Sequence, residues 1–418
     1  MPASAALANV LHRPFAEQAE FFRRKTNLPT QAWDDIRQAA HDRAFVVAGA
    51  AKADLLDDLR QAVDKAIAQG TTLAEFRRDF REIVARRGWT GWTGEGTAGG
   101  EAWRTRTIYE TNLRTSYAAG RHRQLTDPDL LTVRPYWRYV HSDLVARPRP
   151  QHQRWGDSRL TLRHDHPFWQ THYPPNGWGC RCRVVAVREP AAGDATEPPD
   201  GWDAPLESTG APAGIDRGWA YAPGANTATP LVDLVGQKLF NLDASIGAEM
   251  WQVLEPAIRA EQRLALTDLV DRVSATMRAG SEAALVGAVA PATVTALAGL
   301  GHALESADIW LRDTELLHAL RDVKAARGGA LSVQTWRDLS RLLETATPYW
   351  DNTDPALVYA FDAQGSTGKV LVRINYRDKL RSGERRTRLT SNFVRTGGVI
   401  DAADLQGSRY TPLATGRP

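Results

Sequence analysis

The sequence predicts an α+β protein of several domains, with a helix-rich N-terminal part and a C-terminal module that contains an antiparallel sheet. A chain of 418 residues is too long for one ordinary hydrophobic core. Apolar residues recur at helical spacing in the first part, whereas short alternating runs joined by glycine or charged turns fill the last part. Apolar and charged contents of 43% and 24% are those of an ordinary globular protein.

Changes in this pattern divide the chain into four predicted segments. A glycine-rich run over residues 88–100 ends the first helical part, and a run rich in proline, glycine and alanine over residues 184–210 indicates a loop. The predicted segments are a helical part over 1–100, a core with a Cys/His motif and small strands over 101–225, a helical connector over 226–281, and an α+β module over 282–418.

Local signals define the N-terminal helices. Residues 54–69 place leucine, valine and isoleucine on one helical face, and Gly70 follows as a C-cap. Residues 72–75 have the capping-box pattern that begins a second helix. A long helix is predicted over about 102–125. A strand is predicted over 132–140, where aromatic residues alternate.

The C-terminal module combines helical and strand patterns. Residues 308–327 and 333–346 are predicted as helices. The strand candidates are residues 284–289, 357–362, 369–376 and 386–396, with a further short one over 398–401. Strands grouped in this way favour an antiparallel sheet in an α+β module.

Residues 139–185 concentrate side chains that can bind a metal. This stretch holds five of the ten histidines and both cysteines, which are spaced C-x-C. Alternate residues of a strand face the same way, so both thiols could reach one ion. Thiolate, imidazole and carboxylate groups together suit zinc, most simply in a structural site. The predicted ligands are Asp143, His152, Cys180 and Cys182.

Other interpretations of this stretch stay open. Two cysteines can be small buried apolar groups beside surface histidines, or they can have a redox role. A cysteine nucleophile with a histidine base is disfavoured, because the spacing singles out neither cysteine and the Trp-Pro-Asn-Gly-Trp composition indicates a rigid turn. A secreted disulfide framework is excluded, because the chain has only these two cysteines and a single residue separates them, which does not suit an ordinary structural disulfide.

Charge and hydropathy restrict the class of partner. Residues 101–190 carry 15 arginines and 8 acidic residues, and residues 366–395 carry 9 basic and 2 acidic residues. Such runs suit phosphate backbones or acidic protein surfaces, although a solvated face is the alternative. No apolar run approaches the roughly 20 residues that span a membrane. The N-terminus lacks a basic signal-peptide region. We therefore expect cytoplasmic synthesis without a membrane anchor.

The central stretch and its neighbours resemble the phage Mu F-like family of head morphogenesis (minor capsid) proteins. The N-terminal segments over residues 14–25, 66–76 and 108–125 are also similar, as is the segment over 214–224, so the resemblance covers about residues 13–225. The matching positions of the central stretch are Asp143, Arg147, His152, residues 166–169 and residues 174–182.

This resemblance implies a minor head protein, located in the virion inside the capsid or near the portal. It would act in head assembly at the portal–capsid junction and in DNA packaging or delivery. Its implied partners are the portal protein and the major capsid or scaffold proteins, and the resemblance implies no established catalytic activity.

The C-terminal module more weakly resembles phage-borne nuclease domains of the barnase–EndoU–colicin–RelE class. The similar sequence segments are residues 307–322, 357–361, 369–376 and 388–397. A metal-independent ribonuclease needs cations to stabilise a phosphorane and groups that move protons. The cationic and hydroxyl candidates are Arg373, Arg388, Arg395 and Thr396, and the proton-transfer candidates are Tyr376 and His318.

Several hypotheses compete for this module. It could be an inactive fold whose basic face, built around Arg373, Arg388 and Arg395, binds packaged DNA, RNA or partner proteins. It could instead be a phage-delivered ribonuclease that acts on host RNA, or the chain could be a nucleic-acid-binding protein of prophage origin. An ADP-ribosyltransferase is disfavoured, because no E-x-E pair lies near a strand end. Binding without cleavage is favoured, because residues 357–401 contain no histidine.

Overall fold

The computed structural model describes residues 14–413, apart from positions 29, 31–37, 51, 146–147, 229, 241, 281, 321–328, 364 and 383–384 and the side chains of 378–389. The chain divides into two compact units, residues 1–229 and residues 230–418. Within the described ranges, no helix is both long and apolar enough to cross a membrane. The α+β class predicted from the sequence is confirmed.

The N-terminal unit begins with helices packed around an apolar core. Leu55, Leu59 and Val63 recur every four residues of one helix and are fully buried. The core also contains Phe76, Phe80, Trp89 and Trp92. The helices are α1 (Ala16–Arg23), α2 (Ala53–Gln69), α3 (Leu73–Arg87) and α4 (Ala98–Leu125), and a parallel strand pair is formed by β1 (Thr26–Asn27) and β2 (Ala44–Phe45).

The helix ends follow the predicted local chemistry. Gly70 ends α2 with a φ of 71°, a left-handed conformation that favours glycine. At the start of α3, the Thr72 hydroxyl accepts from the Glu75 amide and the Glu75 carboxylate accepts from the Thr72 amide. The predicted capping box is therefore confirmed. Helix α4 begins at Ala98, slightly earlier than predicted, because the Thr97 hydroxyl caps the Gly100 amide.

A small antiparallel sheet and short helices form the second part of this unit. The sheet order is β4-β3-β5. The strand predicted over 132–140 is wrong at its start, because Pro128 and the capping carboxylate of Asp127 begin a helix there. The elements are α5 (Pro128–Val133), β3 (Tyr136–Val140), α6 (Pro150–Asp157), β4 (Thr161–Arg163), α7 (Phe168–His172) and β5 (Arg183–Val187).

The C-terminal unit is built on a seven-stranded sheet with the order β12-β8-β9-β10-β11-β7-β6. All neighbours are antiparallel except β11 and β7, so the sheet is mixed. The strands are β6 (Ala283–Ala288), β7 (Asp308–Arg312), β8 (Thr347–Asp351), β9 (Ala356–Ala363), β10 (Ser366–Ser382), β11 (Arg385–Ile400) and β12 (Tyr410–Pro412).

Helices cover this sheet and complete its core. Leu266, Val270 and Val273 of a 33-residue helix share one apolar cluster with residues of β6, β7, β9 and β10. The helices are α8 (Leu231–Leu239), α9 (Ala244–Thr276), α10 (Pro291–Gly299), α11 (Asp313–Leu320), α12 (Val333–Arg337) and α13 (Leu339–Leu343).

The helix predicted over 308–327 is wrong in its first part, which forms strand β7. Every side chain from Asp308 to Leu311 is buried, because β7 lies between β6 and β11 inside the sheet. A strand buried on both faces shows no apolar–polar alternation, so periodicity alone does not separate it from a buried helix. Helix α11 occupies residues 313–320, and residues 321–328 lie outside the described chain.

Candidate metal centre

His152, Cys180 and Cys182 converge in the N-terminal unit. The His152 Nδ1 atom lies 3.7 Å from the Cys180 Sγ and 3.6 Å from the Cys182 Sγ. The three ligand atoms all lie within 4.8 Å of one another. His152 and Cys180 are 2% and 3% exposed. This cluster of one imidazole and two thiols could hold a metal ion.

The orientation of the His152 ring suits a metal ligand. Its Nε2 atom lies 2.7 Å from the backbone carbonyl oxygen of Gly214. A carbonyl oxygen only accepts hydrogen bonds, so Nε2 carries the proton and donates it. The Nδ1 lone pair then faces the two sulfurs. A protein partner on the second ring nitrogen is typical of metal-binding histidines.

The two thiols differ in acidity. The hydrogen bond from Cys180 lowers the pKa of Cys182 to about 7, although burial opposes this shift. The same hydrogen bond, together with burial, raises the pKa of Cys180 to about 12. Cys182 also faces the Ser142 amide and the positive charge of Arg149. Without a metal, Cys182 is therefore the more readily ionised sulfur, and the thiolate is the form that binds metals.

Asp216 ties the turn before the cysteines to the segment that holds His152. Its carboxylate accepts from the Trp178 amide at 2.9 Å and from Arg149 Nε at 3.1 Å, with a further short contact from Arg149 Nη2. Arg149 also donates to the Trp178 carbonyl at 3.1 Å. A Cβ atom at Gly177 would lie 2.3 Å from the Asp216 carboxylate, so this close approach requires glycine.

Asp216 and Gly214 have site roles that the sequence alone did not assign. Their segment, residues 214–224, is noted only as part of the family resemblance. Gly214 has a φ of +88°, which turns its carbonyl towards His152 and favours glycine. The signal that could have identified these residues is the charged Asp-Arg pair inside a glycine- and aromatic-rich turn.

Asp143, the fourth predicted ligand, lies outside the cluster. Its side chain is fully exposed and its carboxylate is 3.3 Å from the His141 Nδ1 atom. Its chain neighbour Ser142 nevertheless contacts Cys182 through the backbone amide. Position 147, an arginine of the family motif, lies outside the described residues.

The C-terminal unit brings several predicted catalytic candidates together. A cavity of about 200 Å³ is lined by Arg373 and Tyr376 of β10, by Arg395 of β11 and by His318 of α11. The described residues that line this cavity do not include Thr396. The side chain of Arg388 lies outside the described part of the chain. The sequence predicts one basic face that contains all three arginines. The structure brings Arg373 and Arg395 to one cavity and leaves the place of Arg388 on that face a prediction.

Charges in this cavity are partly compensated. Arg395 pairs with Asp354 at 2.6 Å, and Arg312 pairs with Glu315. The guanidinium of Arg373 lies 4.7 Å from the Tyr376 ring centre, and no described carboxylate pairs with it. Arg312 and Glu315 also line the cavity and are not among the residues that the sequence predicts for it. Arg312 belongs to β7, which the sequence predicts as a helix.

Comparisons with known proteins agree with the resemblance found in the sequence. The family described as "Phage Mu protein F like protein" matches residues 57–185, which include the whole Cys/His cluster. Protein F of Escherichia phage Mu, named as a capsid assembly protein, is 29% identical over 406 residues, covering 88% of each chain. The Mu-like prophage FluMu F protein of Haemophilus influenzae is 28% identical over 390 residues, covering 85% of this chain and 92% of its own. No solved structure matches this chain.

Proposed function

We propose that this chain is a member of the phage Mu F-like family and a capsid assembly protein that acts in head morphogenesis. The observation that carries this function is similarity along 88% of both chains to protein F of phage Mu, which is named for capsid assembly. We further propose that the protein is a minor head component at the portal–capsid junction, with the portal protein and the major capsid or scaffold proteins as partners.

Deleting the gene from its phage should stop the production of infectious particles, because an assembly protein acts before the head is complete. The wild-type chain supplied in trans should restore the titre, whereas a chain without residues 101–190 should not, because that deletion removes the metal centre. Mass spectrometry of purified proheads and virions should detect the wild-type protein. Heads that lack the protein and still form with normal infectivity would refute the proposal.

The metal proposed for the centre is a structural zinc ion. Its donor set supports this choice, because one imidazole and two thiolates are typical zinc ligands. A structural zinc site is closed by a fourth ligand, and we propose Asp143 for this position. The exposed loop after β3 would have to turn its carboxylate towards the thiols. A water molecule is the alternative, and the zinc affinity of Asp143→Asn separates the two.

A second proposed activity is nucleic-acid binding by the C-terminal unit. Arg373 carries this proposal, because its charge has no carboxylate partner among the described residues and faces a cavity shared with His318 and Tyr376. A guanidinium in this position can donate to a phosphate of packaged DNA or of RNA, with an aromatic ring beside it.

Substituting Arg373 by Ala should weaken binding of the full-length protein to single-stranded RNA and DNA by roughly 10-fold at low salt, because one phosphate contact is lost. The slope of log affinity against log salt concentration should fall by about 1. Fluorescence anisotropy over a salt series measures both quantities. Arg341→Ala is the control, because Arg341 is exposed and already pairs with Asp338. Equal affinities for wild type and Arg373→Ala would contradict the proposal.

The ribonuclease hypothesis stays a prediction, and neither relative is named as a nuclease. The sequence favoured binding without cleavage, because the predicted strands contain no histidine. Helix α11 places His318 beside Arg373 and Tyr376, so a proton-transfer group does line the cavity. RNA cleavage without added metal that is lost in His318→Ala would support the ribonuclease hypothesis, whereas binding without cleavage would support the inactive fold.

A further inference from the structure

A larger cavity, of about 770 Å³, lies in the N-terminal unit beside helix α4. Its volume is within the range of known ligand-binding sites. Helix α4 contributes Arg104, Thr107, Thr111 and Thr115 to the lining, and the other lining residues include Trp178 and Trp219. This cavity is separate from the metal centre, since none of the three metal-binding side chains is among its described lining.

Arg104 is a buried cation in this cavity, and none of the described carboxylates pairs with it. The residue is 6% exposed, and burial lowers the pKa of its guanidinium. One Nη atom donates to the Ala48 carbonyl, and the guanidinium lies 5.7 Å from the Trp89 ring centre. Its Nε atom has no hydrogen-bond partner in the described part of the chain. A buried charge without an ionic partner is costly, so the cavity favours a negatively charged group beside Arg104.

The described lining of the cavity is positively charged overall. It contains Lys25 as well as Arg104, and it contains no aspartate or glutamate. Lys25 is also buried, and its ammonium group donates to the His41 carbonyl at 2.5 Å. An acidic ligand would therefore meet cations without displacing any carboxylate of the described lining.

A row of threonines on α4 offers hydrogen-bond acceptors to the cavity. Thr107 and Thr115 donate their hydroxyl protons to the carbonyls of Trp103 and Thr111. Their remaining lone pairs can accept from a ligand. The Thr111 hydroxyl has no hydrogen-bond partner among the described residues. Positions four apart on a helix are about 6 Å apart, close to the roughly 7 Å repeat of alternate residues in an extended peptide.

Exposed aromatic rings also belong to the lining. Trp103 is 52% exposed and Trp178 is 43% exposed, and both line the cavity. Large exposed aromatic residues beside an apolar pocket are typical of protein-binding sites, where tryptophan and arginine contribute most of the affinity. This feature and the spaced acceptors favour a peptide over a small acid.

We propose that the α4 cavity binds an extended peptide of a partner protein through a carboxylate that accepts hydrogen bonds from Arg104. Backbone amides of the peptide donate to the threonine row, and its apolar side chains contact the tryptophans. The carboxylate is an acidic side chain or a chain terminus. That this peptide comes from another head protein rests on the function proposed above, whereas the carboxylate chemistry rests on the cavity alone.

The test uses the full-length protein and an array of 12-residue peptides from the portal, scaffold and major capsid proteins of the same phage. Each peptide is also made with its carboxylates converted to amides. Binding of the acidic form should be about 10- to 100-fold tighter, the scale for a hydrogen bond to a charged group. Arg104→Met should weaken binding of the acidic peptide by the same factor, and Thr111→Val should weaken it a few-fold. Arg106→Met, an exposed substitution on the same helix, should change nothing.

The outcomes separate this inference from the proposed function. If Arg104→Met does not fold, the amidated peptides test the same contact on the wild-type chain. Equal binding of acidic and amidated peptides, no binding by any peptide, or binding of small free carboxylic acids alone would overturn the inference. If the protein is incorporated normally into heads and any of these results is found, the peptide site is refuted and the proposed head-assembly function stands. If the protein fails to enter heads, the proposed function is refuted. Peptide binding that depends on the carboxylate would still support the role of the cavity.

Discussion

Cys180→Ser is expected to abolish zinc binding and to destabilise the segment around His152. A serine hydroxyl is a poor replacement for a thiolate that binds zinc, and Cys180 is buried between His152 and Cys182. Structural zinc contributes on the order of 10 kcal/mol of apparent binding free energy, much of it as folding free energy. Elemental analysis should find one zinc per wild-type chain and none in the variant, and thermal unfolding should show a lower midpoint for the variant.

Chelation and the fourth ligand provide the controls for this experiment. A chelator added to the wild-type protein should lower the unfolding midpoint as Cys180→Ser does, and it should not change the variant further. Asp143→Asn should weaken zinc binding if Asp143 is the fourth ligand and should have no effect if water is. A wild-type chain that contains no metal and is unaffected by chelators would show that the cysteines are small buried apolar groups, and Cys180→Ser would then cost only about 1 kcal/mol.

Asp216→Ala should lower zinc affinity by about 10- to 100-fold without removing any ligand. The Asp216 carboxylate holds Arg149 and the Trp178 amide, and the neighbouring Gly214 carbonyl orients the His152 ring. Loss of groups that orient metal ligands typically has this effect. The free energy of unfolding should also fall by about 1–3 kcal/mol, because charged hydrogen bonds are lost. Competition with a chromophoric chelator measures the affinity, and denaturant unfolding measures the stability.

Asp157→Ala is the matched control, because Asp157 is an exposed carboxylate on the same helix as His152. It should leave both quantities unchanged. Asp216→Asn should fall between the wild type and Asp216→Ala, because an amide oxygen still accepts but has no negative charge to attract Arg149. The role assigned to Asp216 is wrong if Asp216→Ala is destabilised and yet binds zinc as tightly as the wild type.

Elements governed by neighbouring residues could be predicted from the sequence. The capping box of Thr72 and Glu75, the C-cap at Gly70 and the apolar stripe of α2 depend on contacts within a few positions. Strand β7 could not be predicted in this way. Its first four residues are all buried, because β7 lies inside the sheet between β6 and β11, so its apolar pattern has no period of its own.

The sequence by itself determined the residue types of the candidate metal centre and the similarity to the phage Mu F-like family. The residue types follow from the histidines and cysteines clustered in one stretch, because ligand chemistry is a property of the side chains. Only the tertiary structure decided which groups converge. It joined His152 to the carbonyl of Gly214, brought His318 to Arg373 and buried Arg104 where no described carboxylate pairs with it. These arrangements depend on how distant segments pack and exclude water, which local patterns do not encode.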